Sequence, residues 1–193
     1  MPVRKNKGHK KSFQQVHQWI SERNGKKQTW INNSTESSLP HLVYHIDIAD
    51  LIKDNSFKSA YPVSWRYIAK NEKNKTAVFE IRMHHASNNH YFNSEQTGPA
   101  VTSHKRLLAK LFKFVNKKEQ DYDHAFLRIV NIKTNAIWMR SIDGTDDLFI
   151  PIEPCFHGLQ AEEIYSEKQI LNAIREYAKL YKKRILPNKF LGG

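Results

Sequence analysis

The sequence predicts an α+β fold in which a mixed or mainly antiparallel sheet, made of two hairpins plus extra strands, is flanked by about three helices. Two pairs of segments alternate apolar and polar residues around short polar turns, which is typical of hairpins. Three longer segments repeat apolar residues with the period of an amphipathic helix. At 193 residues, the chain has the length of one domain. We expect a flexible basic arm at 1–11, a single domain at 12–186 and a flexible tail at 187–193.

The first helix and the first strand follow the basic arm. The segment SFQQVHQWISERNG predicts a helix because its apolar residues share one face, at Phe13, Val16, Trp19 and Ile20. Ser12 can cap this helix, and Asn24-Gly25 can end it. After a polar loop, LPHLVYHIDIADLI alternates apolar residues with period two, which predicts a strand whose tail could become a short helix.

The clearest hairpin and the clearest helix occupy the middle of the chain. VSWRYIA and TAVFEIRM flank the turn NEKNK, and the polar face of this hairpin carries Arg66, Glu80 and Arg82. The segment TSHKRLLAKLFKFVNKK then predicts a helix that Thr102 or Ser103 can cap. Its apolar residues form one stripe, at Leu107, Leu108, Leu111, Phe112 and Val115.

The last third of the chain predicts a second hairpin, one more strand and a closing helix. AFLRIVNI and AIWMRSI flank KTNA and form the second hairpin. LFIPIEP is typical of a short edge strand, because Pro151 has no N–H to donate to a neighbour. SEKQILNAIREYAKLYKKR predicts a helix capped by Ser166.

The charge of the chain is concentrated in three segments. Lys and Arg total 31 against 19 Asp and Glu, and 16 of the basic residues lie in 1–11, 104–118 and 179–189, which contain no acid. Such clustering predicts a polyanionic partner, because each bound phosphate releases counterions. The residues expected to bind phosphates are Lys105, Arg106, Lys110, Lys113 and Lys117 on the central helix, Arg4 and Lys5 in the arm, and Lys182, Lys183 and Arg184 near the end. This binding would need no cofactor, and the sequence does not choose between DNA and RNA.

Several classes of protein are disfavoured by composition. The single cysteine, Cys155, excludes an intramolecular disulfide and any cysteine-based zinc site, which favours a reducing compartment. No apolar run has the length of a signal peptide or a membrane span, so we expect a cytoplasmic protein without a membrane partner. No glycine-rich loop of the phosphate-cradling kind occurs.

The stretch MHHASNNHYFNSEQTGPAVTSH, residues 83–104, lies between a predicted strand and a predicted helix. His84 and His85 close the strand, Asn93 follows, and His104 opens the helix. This order resembles the HNH, or ββα-metal, nucleases. The resemblance implies that His85 is the general base, that Asn93 orients it, and that His84 and His104 bind a metal ion. The alternative interpretation is a long solvated polar loop.

A second resemblance involves the strand VFEIRM, from which Glu80 and Arg82 project together. With Asp54 upstream, this arrangement resembles the PD-(D/E)xK nuclease core. The resemblance implies that Asp54 and Glu80 bind Mg²⁺ or Mn²⁺ and that Arg82 takes the lysine position of an endonuclease. Arginine cannot give up its proton as a base, so the alternative is a cross-strand ion pair.

Three functions therefore remain open for this chain. Nucleic-acid binding through the basic helix and basic ends is the leading hypothesis, with Trp30, Trp138 and Arg140 as possible platforms for unpaired bases. A metal-dependent endonuclease is the alternative, which leaves enzymatic activity undecided. A module that binds an acidic protein is the third. The acidic piece DYDH, residues 121–124, lacks the spacing of a calcium loop.

Overall fold

The computed structural model describes residues 3–4, 8–24, 40–70, 76–84, 86–155 and 158–185. Its strands are β1 (Val3–Arg4), β2 (His41–Ile46), β3 (Tyr61–Lys70), β4 (Thr76–His84), β5 (Asn89–Thr97), β6 (Tyr122–Ile129), β7 (Thr134–Ser141), β8 (Leu148–Ile152) and β9 (Tyr165–Ser166). Its α-helices are α1 (Lys10–Asn24), α2 (Ile48–Asp54), α3 (Pro99–Val115) and α4 (Glu167–Ile185). The predicted α+β class is confirmed.

All of these strands belong to a single sheet with the order β5-β4-β3-β2-β6-β7-β8-β9, while β1 pairs with β6. Two pairings, β1 with β6 and β2 with β6, are parallel, and the others are antiparallel. The predicted hairpins are confirmed as β3–β4 and β6–β7. The β2–β6 pair joins the two halves of the sheet.

Helices cover both faces of the sheet. Neighbouring strand residues point to opposite faces, and Phe126 and Leu127 accordingly enter different hydrophobic clusters. The Phe126 face is covered by α3, which buries Leu107 and Leu111 there. The opposite face is covered by α1, α2 and α4, whose buried residues include Val16, Leu51, Ile170 and Ile174.

The polar stretch before α3 forms a strand, so the expectation of a long loop there is wrong. Residues 89–97 pair with β4 along their whole length. Phe92 of this strand stacks on Trp19 of α1, with ring centroids 4.2 Å apart. The helix after it begins at Pro99, three residues before the predicted cap at Thr102, because proline is already set for the first helical position.

The two ends of the chain also differ in part from expectation. Val3 and Arg4 of the predicted arm form β1 against β6, and α1 begins at Lys10. Ser12 is therefore buried within α1, where its hydroxyl lies 2.5 Å from His90 Nδ1, and it does not cap the helix. The tail at 187–193 lies outside the described residues.

The closing helix begins where the sequence predicts. Gln169 N–H donates to the Ser166 hydroxyl at 3.4 Å, and Ser166 N–H donates to Gln169 Oε1 at 2.8 Å. This reciprocal pair satisfies backbone donors at the helix start. Over the described ranges, no helix combines the length and the apolar character needed to cross a membrane.

Candidate functional site

Helix α3 has an apolar inner face and a basic outer face. The inner face buries Val101, His104, Leu107, Leu108, Leu111 and Val115. The basic residues predicted to bind phosphates are all exposed, at Lys105, Arg106, Lys110, Lys113 and, just beyond the helix, Lys117. Positions 106, 110, 113 and 117 are spaced by four, three and four residues, so they follow one side of the helix. We call these four residues the basic stripe.

The first two residues of the basic stripe, Arg106 and Lys110, both contact Glu162. Arg106 forms an ion pair with the Glu162 carboxylate, and Lys110 Nζ donates to the Glu162 backbone oxygen at 2.6 Å. Lys113 and Lys117 have no hydrogen bond or ion pair within the part of the chain that the structure describes. Two cations of the stripe therefore contact Glu162, and Lys113 and Lys117 are free to bind another molecule.

The other predicted phosphate ligands are placed only by their backbone. Arg4 lies in β1, while Lys182, Lys183 and Arg184 lie in α4. The side chains of these residues, and all of Lys5 and Trp30, lie outside the described part of the chain.

Trp138 does not serve as a platform for bases, so that prediction is wrong. Its side chain is 3% exposed, and its Nε1 donates to Asp147 Oδ2 at 2.8 Å. Arg140 lies against it, with the guanidinium carbon 5.0 Å from the ring centroid, and donates to the Tyr44 hydroxyl. The exposed aromatic residue on α3 is Phe114, which lies beside the basic stripe.

Beneath α3, a row of polar side chains crosses four strands. Glu80 of β4 pairs in register with Arg66 of β3, and Arg66 pairs with His41 of β2. The ring of His124, from β6, lies 4.2 Å from the ring of His41. All four residues are buried. We call Glu80, Arg66, His41 and His124 the polar row.

Glu80 is the electrostatic centre of this row. Arg128 donates to both of its oxygens, at 2.8 and 2.5 Å, and the Ser64 hydroxyl donates at 2.9 Å. Arg66 Nε lies 3.5 Å from Oε2. Burial opposes ionisation of Glu80, but these hydrogen bonds and the charges of Arg128 and Arg66 outweigh it and hold its pKa below the ordinary value.

The structure does not bring together the residues of the PD-(D/E)xK resemblance. Glu80 is 2% exposed and is occupied by two arginines. Asp54 ends α2, which packs on the opposite face of the sheet, and accepts a hydrogen bond from Ser59. Arg82 is exposed near the end of β4. The cross-strand ion pair between Arg66 and Glu80 fits the alternative interpretation of this strand.

The three described residues of the HNH resemblance, His84, Asn93 and His104, make different contacts. His84 is exposed, with Nδ1 2.9 Å from the Ser87 hydroxyl, and His85 lies outside the described residues. Asn93 Nδ2 lies 3.5 Å from Glu80 Oε1. His104 is buried in α3 and lies beside other histidines.

Three histidines from separate elements meet under α3. His41 from β2, His104 from α3 and His124 from β6 each offer a ring nitrogen, and these atoms lie within 4.8 Å of one another. We call them the histidine cluster. Within the described chain, His104 Nε2 and both ring nitrogens of His124 lack a hydrogen-bond partner. Each such buried unpaired group costs about 1–3 kcal/mol.

The protonation of the cluster follows from its burial. Burial lowers the pKa of His104 and of His124 well below 6.5, and the charges of neighbouring histidines and of Arg66 lower both further. Both imidazoles are therefore neutral near pH 7, the state in which a ring nitrogen can donate its lone pair.

A small polar cavity opens beside the cluster. Its volume is about 110 Å³, and its polar lining consists of Arg66, Gln96, His104, Arg128, Asn135 and Glu153. Arg66 NH2 donates to Gln96 Oε1 at 2.8 Å, whereas its NH1 has no partner among the described residues. Burial lowers the pKa of Arg66 to about 10. The cavity thus places the buried charge of Arg66, the partly buried charge of Arg128 and the Glu153 carboxylate beside the His104 imidazole.

Among the described residues, no other group of histidine, cysteine and carboxylate side chains is close enough to hold a metal ion. His124 turns inward from β6 while its neighbours Asp121 and Asp123 are exposed, so residues 121–124 do not form a cation loop. The Cys155 thiol donates to Leu159 O at 3.3 Å, and burial raises its pKa, which disfavours the reactive thiolate.

Replacing Glu80 by Gln should destabilise the fold by about 3–5 kcal/mol near neutral pH, because Arg66 would stay buried without its counterion. The pKa of Glu80 is depressed in the folded state, so its contribution is present above about 4.5 and is lost as pH falls through the folded value. Urea unfolding across this range should show the wild-type and variant stabilities converging in acid. Glu119→Gln, which changes an exposed carboxylate, is the control. A constant gap between wild type and Glu80→Gln would contradict this assignment.

Comparisons with known proteins give no relative for this chain. No protein-family model matches it, and neither a curated protein nor a solved structure does. Its function therefore has to be inferred from the basic stripe, the polar row and the histidine cluster themselves.

Proposed function

We propose that this protein binds nucleic acid by placing the basic stripe of α3 along a run of phosphates. The observation that supports this most directly is the division of α3 into a buried apolar face and an exposed basic one. Because the inner face is fixed in the core, the charges are held on a rigid support. Rigid donors lose less entropy on binding than charges on a mobile tail.

The dimensions of the stripe suit a phosphate backbone. From Arg106 to Lys117 the chain advances by about 16 Å at the helical rise. One strand of duplex DNA carries a phosphate about every 3.4 Å along the axis, so the stripe spans several phosphates. The net charge of +12 adds long-range attraction for a polyanion.

Contacts with phosphates hold the protein on the polymer but do not distinguish one base sequence from another. The side chains of the stripe are Lys and Arg, which bind phosphate oxygens through charge-assisted hydrogen bonds. We therefore propose binding to many sequences with similar affinity, and binding itself requires no metal ion.

Glu162 competes with phosphate for the stripe. Arg106 and Glu162 have exposed fractions of 61% and 41%, so their ion pair is screened by water and worth little. A phosphate can replace the Glu162 carboxylate on Arg106 at small cost. In the free protein, the Glu162 carboxylate therefore occupies the position on Arg106 that a phosphate would take.

The nuclease and protein-partner hypotheses stay as alternatives for the same surface. Cleavage through Glu80 would require Mg²⁺ or Mn²⁺ to displace the arginines that now hold the carboxylate, which is why binding is the better supported proposal. An acidic protein would meet the same basic stripe as a nucleic acid.

Replacing Lys113 and Lys117 together by Gln should weaken binding to duplex DNA, single-stranded DNA and RNA alike. For duplex DNA, the loss of each lysine that contacts a phosphate should make the plot of log K against log salt shallower, by about 0.9 in slope. Fluorescence anisotropy over a salt series measures both effects. The matched control is Lys58→Gln with Lys168→Gln, which removes the same charge beside α2 and α4 on the opposite face. Equal losses in the two double variants would show that net charge alone is responsible.

Replacing Glu162 by Gln should strengthen nucleic-acid binding by about twofold to fivefold, the range of a surface ion pair. The change releases Arg106 from its acidic partner. Glu163→Gln makes the same charge change at the adjacent exposed residue and serves as the control. An affinity gain no larger than that of Glu163→Gln would show that Glu162 does not compete for the stripe.

Incubation of labelled DNA or RNA with Mg²⁺ plus Mn²⁺, or with EDTA, separates binding from cleavage. We expect retained complexes and no products in either condition. Metal-dependent products that disappear in His85→Ala, or in Glu80→Gln under conditions where urea unfolding shows that variant to be folded, would replace the binding proposal by the corresponding endonuclease. A stoichiometric acidic protein that remains bound after nuclease treatment, with no retained nucleic acid, would instead favour the protein-partner hypothesis.

A further inference from the structure

The histidine cluster has the chemistry of a metal site. Neutral imidazole is a borderline ligand that suits zinc and the neighbouring divalent transition metals. Three imidazoles from His41, His104 and His124 converge in the core, between the sheet and α3. Three protein ligands are also the usual number where a metal keeps one position for water or substrate.

We propose that this protein binds one divalent transition-metal ion of the zinc class through His41, His104 and His124, with a fourth coordination position facing the cavity beside Arg66. The site is separate from the basic stripe, which lies on the outer face of α3. The metal-site proposal can therefore be tested independently of nucleic-acid binding.

The distances are close to those of a coordinated ion. Tetrahedral ligands at the usual zinc–nitrogen bond length lie about 3.4 Å from one another. The three ring nitrogens already lie within 4.8 Å of one another. A movement of about an ångström at each ring nitrogen would bring all three to bonding distance from one ion.

In the described residues, buried ring nitrogens without a hydrogen-bond partner also occur singly at His9 and His45, whereas in this cluster they lie together. His104 is 3% exposed and His124 is 7% exposed, yet three of their four ring nitrogens have no hydrogen-bond partner among the described residues. Buried polar groups in proteins nearly always have partners. A metal ion would satisfy one nitrogen of each ring at once.

The fourth position is assigned to a small exogenous ligand. Within the described ranges, no carboxylate, thiol or fourth histidine joins the cluster at the same separation. His104 also lines the cavity, where Arg66 NH1 lacks a partner. A divalent cation next to Arg66 and Arg128, with Glu80 and Glu153 as the nearby carboxylates, leaves net positive charge. That charge favours hydroxide or another small anion as the fourth ligand.

The test uses full-length protein without a polyhistidine tag, stripped of metal by a chelator and then titrated with Co²⁺ and Zn²⁺. We expect one equivalent of each to bind, with the visible absorption of four-coordinate Co²⁺, and Zn²⁺ should raise the melting temperature. Substoichiometric binding, or a spectrum typical of six oxygen ligands, would overturn the proposal.

Ligand assignment uses His104→Leu and His124→Phe, which remove donors while keeping an apolar or aromatic side chain of similar size. Each variant should lower metal affinity by more than about tenfold. Removing a residue that only hydrogen-bonds a metal ligand already costs about that much, so removing the ligand itself should cost more. His17→Ala removes a histidine of α1, on the opposite face of the sheet, and should leave affinity unchanged. Affinity retained in both folded cluster variants would overturn the assignment.

One further measurement keeps the proposal testable if the variants do not fold. X-ray absorption of the Zn²⁺-loaded wild type should show three imidazole nitrogens at about 2.0–2.1 Å. Azide added to the Co²⁺ form should change the visible spectrum by occupying the fourth position. Fewer than three imidazoles would refute the site, and a spectrum that azide leaves unchanged would refute the open position.

Discussion

The buried pairing of Glu80 with Arg66 and Arg128 is the constraint on which the α3 side of this protein depends. Among the described buried side chains, Glu80 is the one carboxylate and Arg66 the one guanidinium. Neither charge can be left alone in the core, because an unpaired buried ion is far costlier than the pair. The pairing also sets strand register, since a one-residue shift of β4 would turn Glu80 to the other face. β3, β4 and β6 are thereby held in one arrangement.

Helix α3 connects the two candidate sites. Its inner face covers the polar row and supplies His104, while its outer face presents the basic stripe. The stripe and the cluster share one rigid element, although their chemistries differ: one presents exposed positive charge, and the other offers buried ring nitrogens beside a polar cavity. Changes that shift α3 along the sheet would therefore alter both sites together.

Periodicity predicted the elements whose faces are clearly apolar or polar. The β3–β4 hairpin, the buried stripe of α3 and the Ser166 cap all follow from local patterns. β5 was missed because most of its residues are polar, as an edge strand with one solvated face allows. Trp138 was misjudged because its hydrogen bond to Asp147 satisfies the indole and lets the ring be buried.

The histidine cluster could not be predicted in the same way. His104 is in phase with Leu107, Leu108 and Leu111, so the helix pattern itself carried a signal that it is buried. The meeting of His41 with His124 depends on the parallel register of β2 and β6, whose residues are more than 80 positions apart. No local pattern encodes that register. The order of motifs in residues 83–104 instead suggested His84 as the partner of His104, and the structure places His84 on the surface beside Ser87.

The β2–β6 pair has a consequence for how the chain is made. Strands β2 to β5 form a meander of neighbours in sequence, and β6 to β8 form another, but the two are joined through a parallel pairing of distant segments. Pairings between distant segments form late, because closing the long loop between them costs entropy before the pairing contributes any stability. During synthesis, the first meander therefore emerges from the ribosome with β2 as an open edge. Until β6 is complete, that edge is available to a strand of another chain, which makes this step the one at which folding and aggregation compete.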